Sequence, residues 1–153
     1  MDNISKKKAM SFLRALIDQP LCYGVKSPNI DLYDFGFGDQ HEITNRSGEI
    51  RKCCTYILHI TCRFKVICKC KKHPPVNYYE DTPCDTFHAN IRDLIGLKVK
   101  RIALSDKNDL WLDLEEYWIV FATFENGEES WRYFTFSEES PHLIASNTWL
   151  MAE

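Results

Sequence analysis

The stretch that decides the fold is residues 54–70, which read CTYILHITCRFKVICKC. Its even-numbered positions carry the apolar, aromatic and cysteine side chains Cys54, Tyr56, Leu58, Ile60, Cys62, Phe64, Val66, Cys68 and Cys70. Most odd-numbered positions are polar. Because successive side chains of a strand point to opposite faces, this alternation predicts a strand with one buried and one solvated face, as in an antiparallel sheet. Strands rarely exceed about ten residues, so the pattern also allows two strands joined at a bulge.

Two other segments have the apolar spacing of amphipathic helices. The first covers residues 5–19, with Ser5 as its N-cap and Pro20 after its end. The second covers residues 86–95, with Asp85 as its N-cap and Gly96 at its end. Alternating or apolar runs separated by turn residues predict further strands at residues 29–38, 99–104, 110–114, 117–124, 131–136 and 143–150.

Together these elements predict an α+β fold with one twisted antiparallel sheet of about 6–8 strands, mostly a meander, and two α-helices. We expect residues 1–153 to form a single domain, because 153 residues is a common domain size. No apolar run approaches the ~20 residues that cross a bilayer, and no secretory signal is recognisable after the basic N-terminal residues. A cytoplasmic, bacterial protein without membrane contact is therefore expected.

Cysteine usage bears on metal binding. The chain has seven cysteines, an odd number, and reduced thiols are expected in the cytoplasm. Cys62, Cys68 and Cys70 share the apolar face of the predicted strand, where cysteine packs as a small hydrophobic residue. Neighbours on that face are about 6.6–6.8 Å apart, whereas the sulfurs of a zinc site lie about 4 Å apart. The sequence predicts no metal and no cofactor, and it leaves open only the pair Cys84 and His88, one helical turn apart.

Charge is distributed unevenly along the chain. Residues 1–73 carry 13 Lys or Arg and 7 Asp or Glu, whereas residues 74–153 carry 6 and 15, so the net charge changes from +6 to −9. Nucleic-acid binding is disfavoured, because it depends on neutralising phosphates. A basic protein partner is expected instead, held by acidic residues of the meander. The candidate binding residues are Asp113, Glu115, Glu116, Glu125, Glu128, Glu129, Glu138 and Glu139.

An alternative function uses the polar face of the sheet. His59 and Arg63 project from that face of the predicted strand, and with His142 they are the candidate groups of a small enzyme or ligand-binding protein. No glycine-rich nucleotide loop and no Gly-x-Ser-x-Gly elbow accompany them. The sequence therefore favours a non-enzymatic protein over an enzyme and assigns no catalytic residue, and it leaves the oligomeric state open.

Four segments carry a resemblance: residues 58–64 (LHITCRF), 93–99 (DLIGLKV), 129–134 (ESWRYF) and 141–145 (PHLIA). Their order resembles a group of small bacterial proteins of uncharacterised function, which have an inner Leu-His-x-x-Cys strand and late Trp-Arg and His-Leu-Val or His-Leu-Ile segments. In size and acidity the chain is also similar to the immunity proteins that neutralise bacterial toxins. That likeness implies a binding protein of immunity or antitoxin type with a basic partner.

Overall fold

Strands dominate the computed structural model, which describes residues 2–137 and 139–153. Two α-helices, α1 (Lys6–Leu13) and α2 (Cys84–Ile91), each continue into a short 3-10 helix, Arg14–Leu16 and Arg92–Leu94 respectively. The strands within the described residues are β1 (Asp2–Asn3), β2 (Leu21–Lys26), β3 (Tyr33–Thr44), β4 (Ile50–Ile60), β5 (Phe64–Cys68), β6 (Val76–Tyr78), β7 (Arg101–Leu104), β8 (Leu110–Leu114), β9 (Tyr117–Phe121), β10 (Trp131–Thr135), β11 (Leu143–Ala145) and β12 (Leu150–Ala152).

These strands form two antiparallel sheets within the described residues. The larger has seven strands in the order β1-β12-β11-β10-β4-β3-β2, and the smaller has five in the order β6-β5-β9-β8-β7. The predicted α+β class, with antiparallel pairing and two helices, is confirmed, but two sheets replace the single predicted sheet. The predicted meander continues only through β7, β8 and β9, since β10 pairs with β4 of the larger sheet.

The alternating stretch that decides the fold contributes to both sheets. β4 ends at Ile60 in the larger sheet, and β5 begins at Phe64 in the smaller one. Between them the backbone N–H groups of Thr61 and Cys62 both donate to the carbonyl of Ser130, at 3.0 and 3.2 Å. Two successive donors on one acceptor break the regular ladder, as at a bulge, and the chain changes sheet there. The predicted inner face is confirmed, because four successive members are at most 2% exposed: Leu58, Ile60, Cys62 and Phe64.

The cysteines of this stretch follow the prediction only in part. Cys54 and Cys62 are buried in the core, as predicted. Cys68, the last residue of β5, is half-buried, and Cys70 is exposed. The predicted core position of Cys70 is therefore wrong, because the strand ends at Cys68 and the following residues form a turn.

One buried cluster takes side chains from both sheets and both helices. Aromatic rings fill its centre, where Phe64 of β5 lies 4.7 Å from Tyr33 and 5.5 Å from Phe35, measured between ring centroids. Phe121 of β9 and Phe87 of α2 complete the group. Edge-to-face pairs of this kind stabilise a core beyond the area that they bury. The cluster therefore joins the two sheets and α2 into one packed unit.

The helix ends follow the sequence signals unevenly. The Ser5 side chain accepts a hydrogen bond from the Lys8 N–H, so the predicted N-cap of α1 is confirmed. In α2 the cap residue is Pro83, and the predicted cap Asp85 is wrong. Asp85 lies instead in the first turn, where a negative charge still suits the helix dipole. Among the described residues no helix is long and apolar enough to cross a bilayer.

One strand that the sequence did not predict covers an edge of the larger sheet. In β2 the buried positions are Leu21, Gly24 and Lys26, because the register shifts between Leu21 and Tyr23 and the buried face changes there. Its outer edge is paired locally, because the Leu21 N–H donates to the Leu97 carbonyl at 2.9 Å and the Leu21 carbonyl accepts from the Gly96 N–H at 2.8 Å. The segment after α2 therefore protects the edge of the sheet.

Candidate functional site

Apart from Asp113, the predicted acidic residues that the structure describes lie in three separate turns. Glu115 and Glu116 form the β8–β9 turn, at one end of β9, and both are exposed. Glu125, Glu128 and Glu129 lie in the β9–β10 connection, at the other end of β9. Glu139 is exposed in the β10–β11 connection, and Glu138 lies outside the described residues. Glu115 and Glu116 therefore lie apart from Glu125, Glu128 and Glu129, at the opposite end of β9.

Asp113 does not belong to an exposed acidic surface at all. It is 3% exposed and lies on β8, where Lys69 Nζ contacts Oδ1 at 2.5 Å and Arg101 Nε contacts Oδ2 at 2.9 Å. Both cations also lie over the ring of Trp118, 4.9 and 5.2 Å from its centroid. Burial acts to raise the pKa of Asp113, but the hydrogen bonds and charges of Lys69 and Arg101 outweigh it, so the pKa lies below its usual value. Asp113 is therefore a structural carboxylate.

The acids of the β9–β10 connection line a cleft. Two adjoining surface depressions of about 420 Å³ each share Thr61, Glu80 and Phe124. Among the described residues, five acidic residues line the two depressions, which we call together the acidic cleft: Asp31, Glu80, Glu125, Glu128 and Glu129. Within the described residues Glu129 alone among them has an ion-pair partner, Arg132. Four of the five carboxylates therefore have no ion-pair partner in the described residues.

Arg63 is the one basic residue in the described part of the chain that lines these two depressions. It also lines a smaller depression of about 240 Å³ beside them, together with Lys65 and Asn77. Arg63 makes no hydrogen bond or ion pair with His59 or His142 in the part of the chain that the structure describes. The three residues predicted as an alternative ligand site are therefore not gathered into one site.

The two histidines do come together on the outer face of the larger sheet. Asp34 on β3, His59 on β4 and Arg132 on β10 are cross-strand partners, and we call them the polar row. The His59 ring meets the Phe134 ring edge-on at 4.8 Å, and the His142 ring stacks on the same ring at 4.4 Å. The row and its two histidines therefore surround one aromatic side chain.

Arg132 holds this group together. Its guanidinium donates to Glu129 at 2.7 Å, to His142 Nδ1 at 3.1 Å and to Glu153 at 3.4 Å. Because Nδ1 of His142 accepts this bond, that ring carries its proton on the other nitrogen and is neutral. Glu129 links the row to the acidic cleft, since it also lines that cleft.

The pKa shifts of the two histidines agree with this arrangement. Burial lowers the pKa of His59, and the charges of Arg132 and His142 act in the same direction, against the opposing charge of Asp34. Burial and the Arg132 charge likewise lower the pKa of His142. Both imidazoles are therefore neutral at pH 7. His59 Nε2 lies 3.7 Å from Asp34 Oδ1, which is too long for a hydrogen bond.

Asp34 is positioned by Tyr23, which crosses above a glycine. The Tyr23 hydroxyl donates to Asp34 Oδ1 at 3.1 Å. Its ring lies directly over Gly36, where an added Cβ would stand 1.9 Å from a ring carbon. Residue 36 therefore has to be a glycine, because a side chain there would displace the Tyr23 ring that reaches Asp34.

We expect Gly36→Ala to lower the free energy of unfolding by about 1–2 kcal/mol, because the new methyl group displaces the Tyr23 ring. Urea unfolding of the single variants and of the double variant with Tyr23→Ala measures this effect. In the Tyr23→Ala background the cost of Gly36→Ala should largely disappear, since the clash is gone. An equal cost in both backgrounds would show that the ring is not the cause.

The pair Cys84 and His88, left open as metal ligands, holds α2 against β2. The His88 Nε2 atom accepts the Lys26 N–H at 3.1 Å, and the Cys84 thiol donates to the Lys26 carbonyl at 3.6 Å. In the described residues no group of three or more His, Cys, Asp or Glu side chains is arranged to bind a metal ion. Both side chains therefore have a structural partner in the backbone of Lys26.

Sequence reasoning missed Asp31, Asp34, Glu80 and Arg132. A signal for two of them existed, because Asp34 and Arg132 are single charges between aromatic neighbours on strands, which places them on the outer face. Asp31 and Glu80 lie in loops and carry no comparable signal. No family model, no curated protein and no solved structure matches this chain.

Proposed function

We propose that this chain is a non-enzymatic binding protein that takes a basic segment of a partner protein into the acidic cleft. The observation that carries the proposal is the set of four cleft carboxylates without an ion-pair partner in the described residues: Asp31, Glu80, Glu125 and Glu128. Like charges placed close together repel one another, so such a group is stabilised when an external cation binds.

The lining of the cleft suits an Arg or Lys side chain. Tyr79 is 46% exposed and Phe124 is half-buried, so both offer aromatic surface beside the carboxylates. The aliphatic stem of Arg or Lys packs on such surface, and its charged end then reaches the carboxylates. Arg is the better match where two carboxylate oxygens accept in parallel.

The polar row supports a binding protein better than an enzyme. The guanidinium of Arg132 is already engaged by Glu129, His142 and Glu153. An acid–base pair would be hydrogen-bonded, whereas the Asp34 and His59 side chains are not hydrogen-bonded to each other. This row is best explained as packing that fixes the outer face of the sheet and, through Glu129, one wall of the cleft.

A binding protein of the immunity or antitoxin type would act in this way, by covering a basic surface of its target. An acidic cleft also speeds association with such a target, because long-range attraction raises the encounter rate. The bacterial origin, the cytoplasmic location, the resemblance to small bacterial proteins and the single domain stay predictions.

The test compares two variants with the same change in net charge. Glu125→Lys with Glu128→Lys alters the cleft, whereas Glu115→Lys with Glu116→Lys alters the turn at the opposite end of β9. The probe is an arginine-rich peptide, with dissociation constants measured by calorimetry at two salt concentrations. We expect the cleft variant to bind about 10-fold or more weakly and the control less than about 2-fold, with binding that weakens as salt screens the charges.

Two results would contradict the proposal. Equal weakening by the two variants would mean that the peptide responds to net charge alone. Binding that is unchanged in the cleft variant would place the basic segment elsewhere on the chain. Circular dichroism of each variant establishes that the fold is retained, which is expected because the four substituted side chains are exposed.

A further inference from the structure

A pair of cysteines lies in the turn that follows β5. Cys68 is the last residue of the strand, and the Lys71 N–H donates to its carbonyl at 3.3 Å, which closes a four-residue turn with Cys70 in its third position. Lys71 has a φ of 60°, in the left-handed region. The Lys69 N–H donates to the Glu116 carbonyl at 2.9 Å, so the turn is fixed to the neighbouring β8–β9 turn.

The two thiols influence each other. The Cys68 thiol and the backbone N–H groups of Cys70 and Lys72 lower the pKa of Cys70, with Cys68 the largest influence, against the opposing effects of burial and of Glu116. The neighbouring Cys70 thiol in turn raises the pKa of Cys68. Cys70 is exposed, so its sulfur is accessible to reagents in solution.

The other cysteines lack these features. Burial raises the pKa of both Cys54 and Cys62 to about 12, so both remain protonated thiols. Burial also raises the pKa of Cys53. The thiols of Cys22 and Cys84 donate to backbone carbonyls. Within the described residues Cys70 is thus the one cysteine that combines exposure with stabilisation of its thiolate.

We propose that Cys68 and Cys70 form a thiol–disulfide exchange site that low-molecular-weight disulfides oxidise to an intramolecular disulfide. In the first step the Cys70 thiolate attacks one sulfur of the reagent disulfide. The reagent S–S bond breaks, a mixed disulfide forms on Cys70, and one reagent thiolate leaves and takes up a proton from water. In the second step Cys68 loses its proton to water and attacks the Cys70 sulfur, and the second reagent thiolate leaves. Two protein thiols are oxidised, and one reagent disulfide is reduced to two thiols.

The turn geometry permits the product. Next-but-one residues of an extended strand have Cα atoms about 6.6–6.8 Å apart, and a turn brings them closer. Disulfides span Cα separations of about 4.4–6.8 Å, so the backbone of this turn falls within reach. The bond would close a very small ring at an exposed site, and strained or exposed disulfides are readily reduced again. Formation of the disulfide is therefore expected to be reversible.

The test uses the full chain, fully reduced, with glutathione disulfide as the probe. We expect wild type to lose two free thiols and the mass of two hydrogens, and peptide mapping to place the new bond between Cys68 and Cys70. Cys68→Ser should stop after the first step and retain one glutathionyl group on Cys70. Cys70→Ser should lose exchange at this site. Cys53→Ser, which alters a half-buried cysteine outside the turn, should behave as wild type.

Alkylation kinetics provide a second readout. At pH 7 iodoacetamide should modify Cys70 more than about 100-fold faster than Cys54 or Cys62, because only the thiolate reacts and the pKa values of those two are raised. Equal alkylation rates at all three cysteines would overturn the proposal. So would a wild-type protein that retains glutathione on Cys70, or one that forms its disulfide between other cysteines.

Discussion

Replacement of Phe64 by alanine is expected to lower the free energy of unfolding by about 3–5 kcal/mol. The Phe64 ring is 2% exposed and lies at the centre of the aromatic cluster. Its centroid is within about 6 Å of five other rings, those of Tyr33, Phe35, Tyr78, Phe87 and Phe121. Alanine removes contacts to both sheets and to α2 at once and leaves a cavity that these rings cannot fill without losing their own contacts.

Guanidinium unfolding followed by intrinsic fluorescence measures this loss as a change in the transition midpoint. The matched control is Lys65→Ala on the adjacent, exposed position of the same strand, which should change stability by no more than about 0.5 kcal/mol. If Lys65→Ala were the costly substitution, the assignment of buried and exposed faces in β5 would be inverted.

Asp113→Asn is expected to cost about 2–3 kcal/mol at neutral pH, because the carboxylate accepts charge-assisted hydrogen bonds from both Lys69 and Arg101. Because Asp113 is buried, its ion pairs with Lys69 and Arg101 are stronger than an ion pair on the surface. The control is Asp106→Asn, which removes a fully exposed carboxylate 3.7 Å from Lys6 and should be nearly neutral.

The stability difference between wild type and Asp113→Asn should depend on pH in a defined direction. The pKa of Asp113 is lowered in the folded protein, so its contribution is fully present above the unfolded value of about 3.9. It is lost as the pH falls through the folded pKa, where the carboxylate takes up a proton. The two unfolding curves should therefore converge below about pH 4. A difference that stays constant from pH 7 to pH 3 would show that the charge of Asp113 does not contribute.

The sequence could predict local structure where one residue type controls it. The alternation at residues 54–70 identifies the buried face, because a strand fixes which side chains share a face. Ser5 marks the start of α1, because its side chain can accept a hydrogen bond from the Lys8 N–H, which has no partner within the helix. The α+β class and the antiparallel pairing follow from such local signals, and the structure confirms them.

The division into two sheets could not be predicted in the same way. It depends on Ser130, which lies 69 residues after Thr61 and accepts hydrogen bonds from Thr61 and Cys62 at the change of sheet. The alternation itself continues unbroken through Thr61, Cys62 and Arg63, so nothing in the local pattern marks the place where the chain leaves one sheet for the other. Strand partners are chosen by long-range packing.

The same distinction applies to the candidate site. The sequence by itself determined that the second half of the chain is acidic and that His59 faces outward, since charge and strand parity are properties of composition and spacing. Only the tertiary structure decided which charges are neutralised. It buries Asp113 between Lys69 and Arg101, and it gathers Glu125 and Glu128 with Asp31 and Glu80 from distant loops. The physical reason is that electrostatic energy depends on distance and burial, and the chain sets both only when it folds.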